Sequence, residues 1–180
     1  RLSDYYPYRY DHGMSDDDYI QYLIDEAEFA FANTIDSEDV ACFIAECVQG
    51  EGGFIPQPAK YLKAIKDLCE KYGILYIADE IQSGFCRTGK FFAIEHMGFN
   101  PDIMTIAKSM ADGMPLAATL VKSELDKVKG GQLGGTYMGN AVACAASCAA
   151  VDAFKANDFC GRAVQIGDYI KATVEKMMAK

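Results

Sequence analysis

Short apolar runs that end on a charged residue constrain this chain most. Residues 40–45 (VACFIA) run into Glu46, residues 74–78 (ILYIA) into Asp79 and Glu80, and residues 102–107 into Lys108. The second run is apolar throughout rather than alternating, which suits a parallel strand covered on both faces. Ahead of it, residues 60–72 carry Tyr61, Leu62, Ile65, Leu68, Cys69 and Tyr72 at helical spacing, with lysines and acids on the other face. Gly73 stands where a helix exit needs a left-handed residue. Strand, helix, strand in this order predicts an α/β fold with a mostly parallel sheet flanked by helices. Such sheets bind ligands beyond the carboxyl ends of their strands. Glu46, Asp79, Glu80 and Lys108 are therefore delivered to one edge of one sheet.

The rest of the chain fits around that core. Residues 1–13 are rich in tyrosine and read as extended or looping. Ser15, followed by Asp16, Asp17 and Asp18, reads as the cap and acidic first turn of a helix. Ile20, Leu23, Ile24, Ala27 and Ala30 continue it at helical spacing. Residues 46–58 read as a loop, 117–121 as a further strand, and 141–155 and 157–180 as helices. The run 141–151 is made mostly of small apolar residues and predicts a buried helix; it falls short of the ~18 residues a bilayer span needs. The resulting division is an N-terminal loop and helix (1–38), an α/β core (39–125), and a loop with C-terminal helices (126–180). With no initiator Met at Arg1 and a helical pattern still running at Lys180, the chain is expected to be a piece of a longer protein.

Charge and cysteine usage narrow the partners. A net charge of -9 repels phosphate backbones and anionic lipid surfaces, so neither nucleic acid nor a membrane is expected. Seven cysteines, an odd number with no Cys-x-x-Cys, argue against a disulfide framework and a zinc ribbon. They read as small packed hydrophobes in a reducing compartment, cytoplasmic or, in a eukaryote, the mitochondrial matrix. Cys144 and Cys148, one helical turn apart, read as buried packing. His12 and His96 have neither a second metal ligand at useful spacing nor a nucleophile beside them, so no metal site is expected.

A lysine and a carboxylate at neighbouring strand tips suit pyridoxal 5'-phosphate (PLP) chemistry. The amine attaches the cofactor aldehyde, and the carboxylate keeps the pyridine nitrogen protonated so that the ring withdraws electrons. Such a lysine works best partly desolvated, and Ile106, Ala107 and Met110 supply an apolar setting for Lys108. A competing reading comes from residues 84–90 (GFCRTGK), which imitate a nucleotide phosphate loop near an acidic pair. It fails on three counts. Phe91 stands where the loop needs Ser or Thr, the loop follows the acids instead of preceding them, and it lacks the flanking strand and helix.

Four stretches, in order, resemble the class III aminotransferases, PLP enzymes of fold type I. They are 46–54 (ECVQGEGGF), 77–90 (IADEIQSGFCRTGK), 101–115 (PDIMTIAKSMADGMP) and 134–140 (GGTYMGN). The resemblance covers residues 39–155 strongly and the flanks weakly, and within the family it leans toward 4-aminobutyrate aminotransferases, with acetylornithine and ornithine aminotransferases as near neighbours. It implies the central part of the large PLP-binding domain, acting on an amino acid and a 2-oxo acid. Lys108 resembles the Schiff-base lysine and Asp79 the partner of the ring nitrogen. Ile81 matches the residue packed on the ring face, and Gln82 the residue near its hydroxyl. Thr136 matches the threonine that donates to the cofactor phosphate of a neighbouring subunit, which implies a homodimer. Glu51 matches a gating glutamate that pairs with a C-terminal arginine, and Glu46 a carboxylate close to the cofactor.

Two residues depart from the family pattern: Cys47 and Ala141 stand where prolines are usual, which loosens the local backbone without removing a reacting group. The family's Gly/Ser-rich phosphate turn, its ring-stacking aromatic residue and its substrate arginine all fall outside this chain. The 180 residues alone are therefore expected to bind PLP weakly or not at all, and not to turn over. Two rivals stay open at this level: a PLP decarboxylase or aminomutase on the same scaffold, and a truncated interaction module without cofactor.

Overall fold

The computed structural model describes residues 1–10 and 12–179. A short helix α1 (Pro7–Tyr10) interrupts the first segment, which was expected to loop throughout; Asp11 of that segment lies outside the described residues. Helix α2 (Asp16–Asn33) starts as predicted: the Ser15 hydroxyl accepts the Asp18 N–H at 3.3 Å, and three acids fill the first turn. Its face of Tyr19, Ile20, Leu23, Ile24, Ala27 and Phe31 is buried.

Strand β1 (Cys42–Glu46) opens the sheet. The expected loop after it contains a small antiparallel ribbon, β2 (Val48–Gln49) with β3 (Ile55–Pro56), whose tip carries Glu51. Helix α3 (Ala59–Tyr72) buries Tyr61, Leu62, Ile65, Leu68 and Cys69, and Tyr72 stacks on Phe31 of α2 at 5.4 Å. Gly73 ends the helix at φ 70°, a left-handed conformation that costs glycine nothing sterically.

Strands β4 (Leu75–Asp79), β5 (Ile103–Ile106) and β6 (Ala118–Val121) complete a sheet of order β1-β4-β5-β6. β1, β4 and β5 run parallel, and β6 is antiparallel at the edge. The chain ends in α4 (Ala141–Ala156) and α5 (Phe159–Met178). Lys180, the last residue of the expected final helix, lies outside the described residues. No helix among the described residues is long and apolar enough to cross a membrane.

The sheet is covered on one face only, which corrects the expectation for β4. Phe43, Ala45, Tyr76 and Ala78 share the face beneath α2 and α3, and Tyr76 and Ala78 are wholly buried. On the opposite face Ile44 is 54% exposed, and Leu75, Ile77 and Asp79 are half-buried. An unbroken apolar run shows that a strand can be covered twice; it does not supply the second cover.

Three further expectations need correction for related reasons. α4 buries only Ala143 and Ser147, and α5 buries nothing, so many of their apolar residues stay exposed in this chain, although Phe154 packs on Phe85 and Phe91. Cys144 is half-buried, Cys148 and Cys42 are exposed, and only Cys47, Cys69 and Cys86 are buried. Lys66, assigned by pattern to the solvent face of α3, is buried. Its long stem reaches Asp102, whose carboxylate accepts from Lys66 at 2.9 Å, from Lys122 at 2.6 Å and from the Tyr76 N–H at 2.9 Å.

Candidate active site

The half-open face of the sheet carries the polar residues. Glu46 and Asp79 are register partners across β1 and β4, and Asp79 and Thr105 across β4 and β5. All three therefore point to the same face near the carboxyl ends of parallel strands, where such sheets bind ligands. Lys108 follows β5 by two residues. It opens a 3-10 turn (Lys108–Ala111) with its backbone at φ 48°, a left-handed conformation uncommon for a residue with a Cβ.

Six of the residues singled out from the sequence line one cleft of about 150 Å³: Lys108, Asp79, Ile81, Gln82, Glu46 and Glu51, with Gly50 among them. Lys108 Nζ donates a hydrogen bond to Gln82 Oε1. Asp79 Oδ1 accepts the Ile81 N–H at 3.0 Å, which fixes the start of the turn after β4. Glu46 Oε2 accepts the Gly50 N–H at 2.8 Å and draws the β2–β3 ribbon over the cleft. A Cβ at Gly50 would lie 3.1 Å from Gln82 Cγ and 3.3 Å from Glu46 Oε2, so only glycine approaches this closely without displacing a neighbour. The cleft is smaller than the roughly 300–1,000 Å³ of small-molecule pockets. Glu46 and Asp79 also line a groove of about 770 Å³ along β1.

The remaining site residue stands apart. Thr136 is exposed on the irregular segment before α4 and does not line the cleft. The apolar setting inferred for Lys108 is also corrected. Ile106 is buried, but Lys108 is exposed because the sheet face beside it is open.

Several contributors were not legible in the sequence. Arg87 Nη2 donates to Ser109 Oγ at 3.0 Å, tying the loop after β4 to the residue next to Lys108. Thr105 Oγ1 is buried with no hydrogen-bond partner among the described residues. Cys47, next to Glu46, is buried, and burial first, and then the charge of Glu80, push its thiol up to about 12. Glu80, read from the sequence only as half of an acidic pair, is fully buried behind the cleft.

An amine, three carboxylates and an open sheet face meet here, together with a buried hydroxyl that has no partner among the described residues. The profile of the family described as "Aminotransferase class-III" matches residues 4–180. This chain belongs to the class III aminotransferases. It is 44% identical over 170 residues to the 5-aminovalerate aminotransferase DavT of Pseudomonas putida, covering 94% of the chain and 39% of that protein. It is 42% identical over 161 residues to the 4-aminobutyrate aminotransferase GabT of Escherichia coli, covering 89% and 37%. Among solved structures, an (S)-enantioselective omega-transaminase from Thermomicrobium roseum superposes with a TM-score of 0.88 at 35% identity, over 97% of this chain and 40% of that one.

This aminotransferase chain thus spans about two fifths of the length of the curated relatives it matches. Class III aminotransferases are PLP enzymes. The donor set is of the kind that cofactor needs, an amine for its aldehyde and carboxylates for its ring nitrogen.

Proposed function

We propose that this chain is the cofactor-holding centre of an aminotransferase that takes the amine from an ω-amino acid, 4-aminobutyrate first among them, and delivers it to 2-oxoglutarate. The observation that carries the reading is that Lys108 and Asp79, from the tips of adjacent parallel strands, line one cleft. The substrate class rests on the relatives, two of which are named for 5-aminovalerate and 4-aminobutyrate, both amino acids with a terminal amine. Residues 39–125 form the cofactor-binding core in this reading.

Each residue has a definite task. Lys108 would attach PLP and, once released, carry the proton to and from the substrate carbon as general base and acid. Asp79 would hold a proton on the ring nitrogen. Ile81 would pack on the ring face, and Gln82 would orient both the ring hydroxyl and the Lys108 amine. PLP, when bound, supplies the electron-withdrawing ring that stabilises negative charge at the substrate carbon. Glu46 would hold the ribbon over the site through Gly50. Glu51, exposed at the ribbon tip, would neutralise an arginine supplied from outside these residues while an ω-amino acid is bound, and swing aside for an α-carboxylate. Thr136, exposed and away from the cleft, would reach the cofactor phosphate of a second subunit in a homodimer.

The test uses a protein of the relatives' full length that contains this chain. Incubated with PLP, 4-aminobutyrate and 2-oxoglutarate, it is expected to form glutamate. Lys108→Ala should abolish this and should also remove the site at which borohydride fixes PLP to the protein. Glutamate formed from 5-aminovalerate but not from 4-aminobutyrate would move the donor; none formed from either would sink the ω-amino reading.

A further inference from the structure

Glu80 is the one wholly buried acid among the described residues, and the chemistry above gives it no task. Its carboxylate has no ion-pair partner there. Three donors converge on it instead: Ser83 Oγ at 2.8 Å and the Ala93 N–H at 3.0 Å on Oε2, and the Ile94 N–H at 2.6 Å on Oε1. A buried carboxylate is costly unless fully hydrogen-bonded, so its surroundings must hold a fixed geometry.

The residue is also pinned by its backbone. Its N–H donates to Thr105 O on β5 at 2.9 Å, and its carbonyl accepts the Gly84 N–H at 3.0 Å. A Cβ at Gly84 would lie 2.7 Å from that carbonyl oxygen, so the turn closes this tightly only with glycine. Between these anchors sit Ile81 and Gln82. Asp79, immediately before, already accepts from Ile81 N, and Gln82 accepts from Lys108. The turn that carries Ile81 and Gln82 is thus held at its start by Asp79 and from behind by the Glu80 carboxylate.

We propose that Glu80 is the positioning residue of the Lys108–Asp79 site: its carboxylate locks the 79–84 turn onto the Ala93–Ile94 backbone and so holds Gln82 where it receives the Lys108 amine. Glu80 touches neither substrate nor cofactor. The proposal rests on the functional reading above only for the importance of Lys108; the contact it controls exists without cofactor.

Glu80→Gln is the decisive variant. It keeps the size of the side chain but replaces one acceptor oxygen with a donor, so the three converging donors cannot all be met. The experiment is made on cofactor-free protein of the relatives' full length, well below its melting temperature. Lys108 reactivity is read by brief acetic anhydride labelling and peptide mass spectrometry, with Lys63 and Lys90 as internal references. Glu80→Gln should raise Lys108 labelling several-fold and speed amide exchange at Ala93 and Ile94, with the reference lysines unchanged. Ser83→Ala removes a single donor and should shift Lys108 in the same direction by less, which carries the test if Glu80→Gln does not fold. Faster exchange at Ala93 and Ile94 with unchanged Lys108 labelling would overturn the proposal, because Glu80 would then hold only the loop. Failure of the parent to transaminate would count against the functional reading and leave this result standing.

Discussion

Asp79 and Thr105 are register partners on adjacent parallel strands, and the Thr105 hydroxyl is buried with no hydrogen-bond partner among the described residues. A buried unpaired hydroxyl costs about 1–3 kcal/mol. Thr105→Val removes that cost and nearly preserves shape. In cofactor-free protein of full family length we expect Thr105→Val to raise stability by about 1 kcal/mol, read from urea unfolding. PLP held on the open face would bring a polar neighbour toward this hydroxyl, so with PLP bound the gain should shrink. Equal gains in the two states would show that Thr105 does not face the cofactor.

Asp79→Asn should separate charge from shape. Asparagine still accepts the Ile81 N–H through its carbonyl oxygen, so the turn after β4 survives. It cannot remain anionic against the ring nitrogen. Transamination should fall roughly 10²-fold, the scale on which removal of one electrostatic stabiliser acts, with little change in melting temperature. Initial rates of glutamate formation and a thermal melt check this together. Full activity in Asp79→Asn would remove Asp79 from the site.

Gly50 packs the ribbon against the cleft so closely that a Cβ would press on Gln82 and Glu46. Gly50→Ala places a Cβ 3.1 Å from Gln82 Cγ and 3.3 Å from Glu46 Oε2. Either the ribbon lifts, breaking the Gly50 N–H to Glu46 bond, or Gln82 shifts away from Lys108. Overpacking of this kind costs about 1–3 kcal/mol. Because Glu51 rides on the same ribbon, KM for the ω-amino donor should rise more than KM for 2-oxoglutarate. Unchanged values for both would mean that the ribbon accommodates the methyl without consequence.

How much of this was legible follows from what each signal encodes. Apolar runs mark strands, and the residue after a run marks a strand tip, so Glu46, Asp79 and Lys108 could be placed at one edge without coordinates. The roles of Ile81, Gln82, Glu51 and Thr136 came only from resemblance, since nothing in their local pattern separates them from ordinary turn residues. Glu80 read from the sequence only as half of an acidic pair at a strand end; two of its partners, the Ala93 and Ile94 amides, are backbone groups that carry no sequence signature. The Gln82–Lys108 and Arg87–Ser109 contacts span 26 and 22 residues and depend on loop conformation rather than composition. The burial of α4 and of the second sheet face was misjudged because apolar residues reveal that a surface wants cover, not where the cover comes from. Lys66 failed in the opposite sense: its charge argued for solvent, and a partner 36 residues away drew it inside.

That partner makes an acid-sensitive staple. Burial alone would raise the Asp102 pKa, but hydrogen bonds from Lys122, Lys66 and the Tyr76 N–H overcome it and hold the carboxyl at about 2, against an ordinary 3.8. A carboxyl whose folded pKa is depressed contributes its stability above the unfolded pKa and loses it as pH falls through the folded value. The window is therefore from about pH 4 down to about pH 2, and the amount at stake is about 2 kcal/mol. Asp102→Asn removes the titration and leaves the buried Lys66 with Glu70, at 3.2 Å, as its remaining anion, so at pH 7 the variant should be less stable by about 2 kcal/mol. Below pH 4 the parent should lose stability more steeply than the variant, and the two curves should converge. Urea midpoints measured from pH 7 to pH 2 decide the matter. Parallel curves across that range would show that Asp102 is not the group whose protonation loosens the sheet.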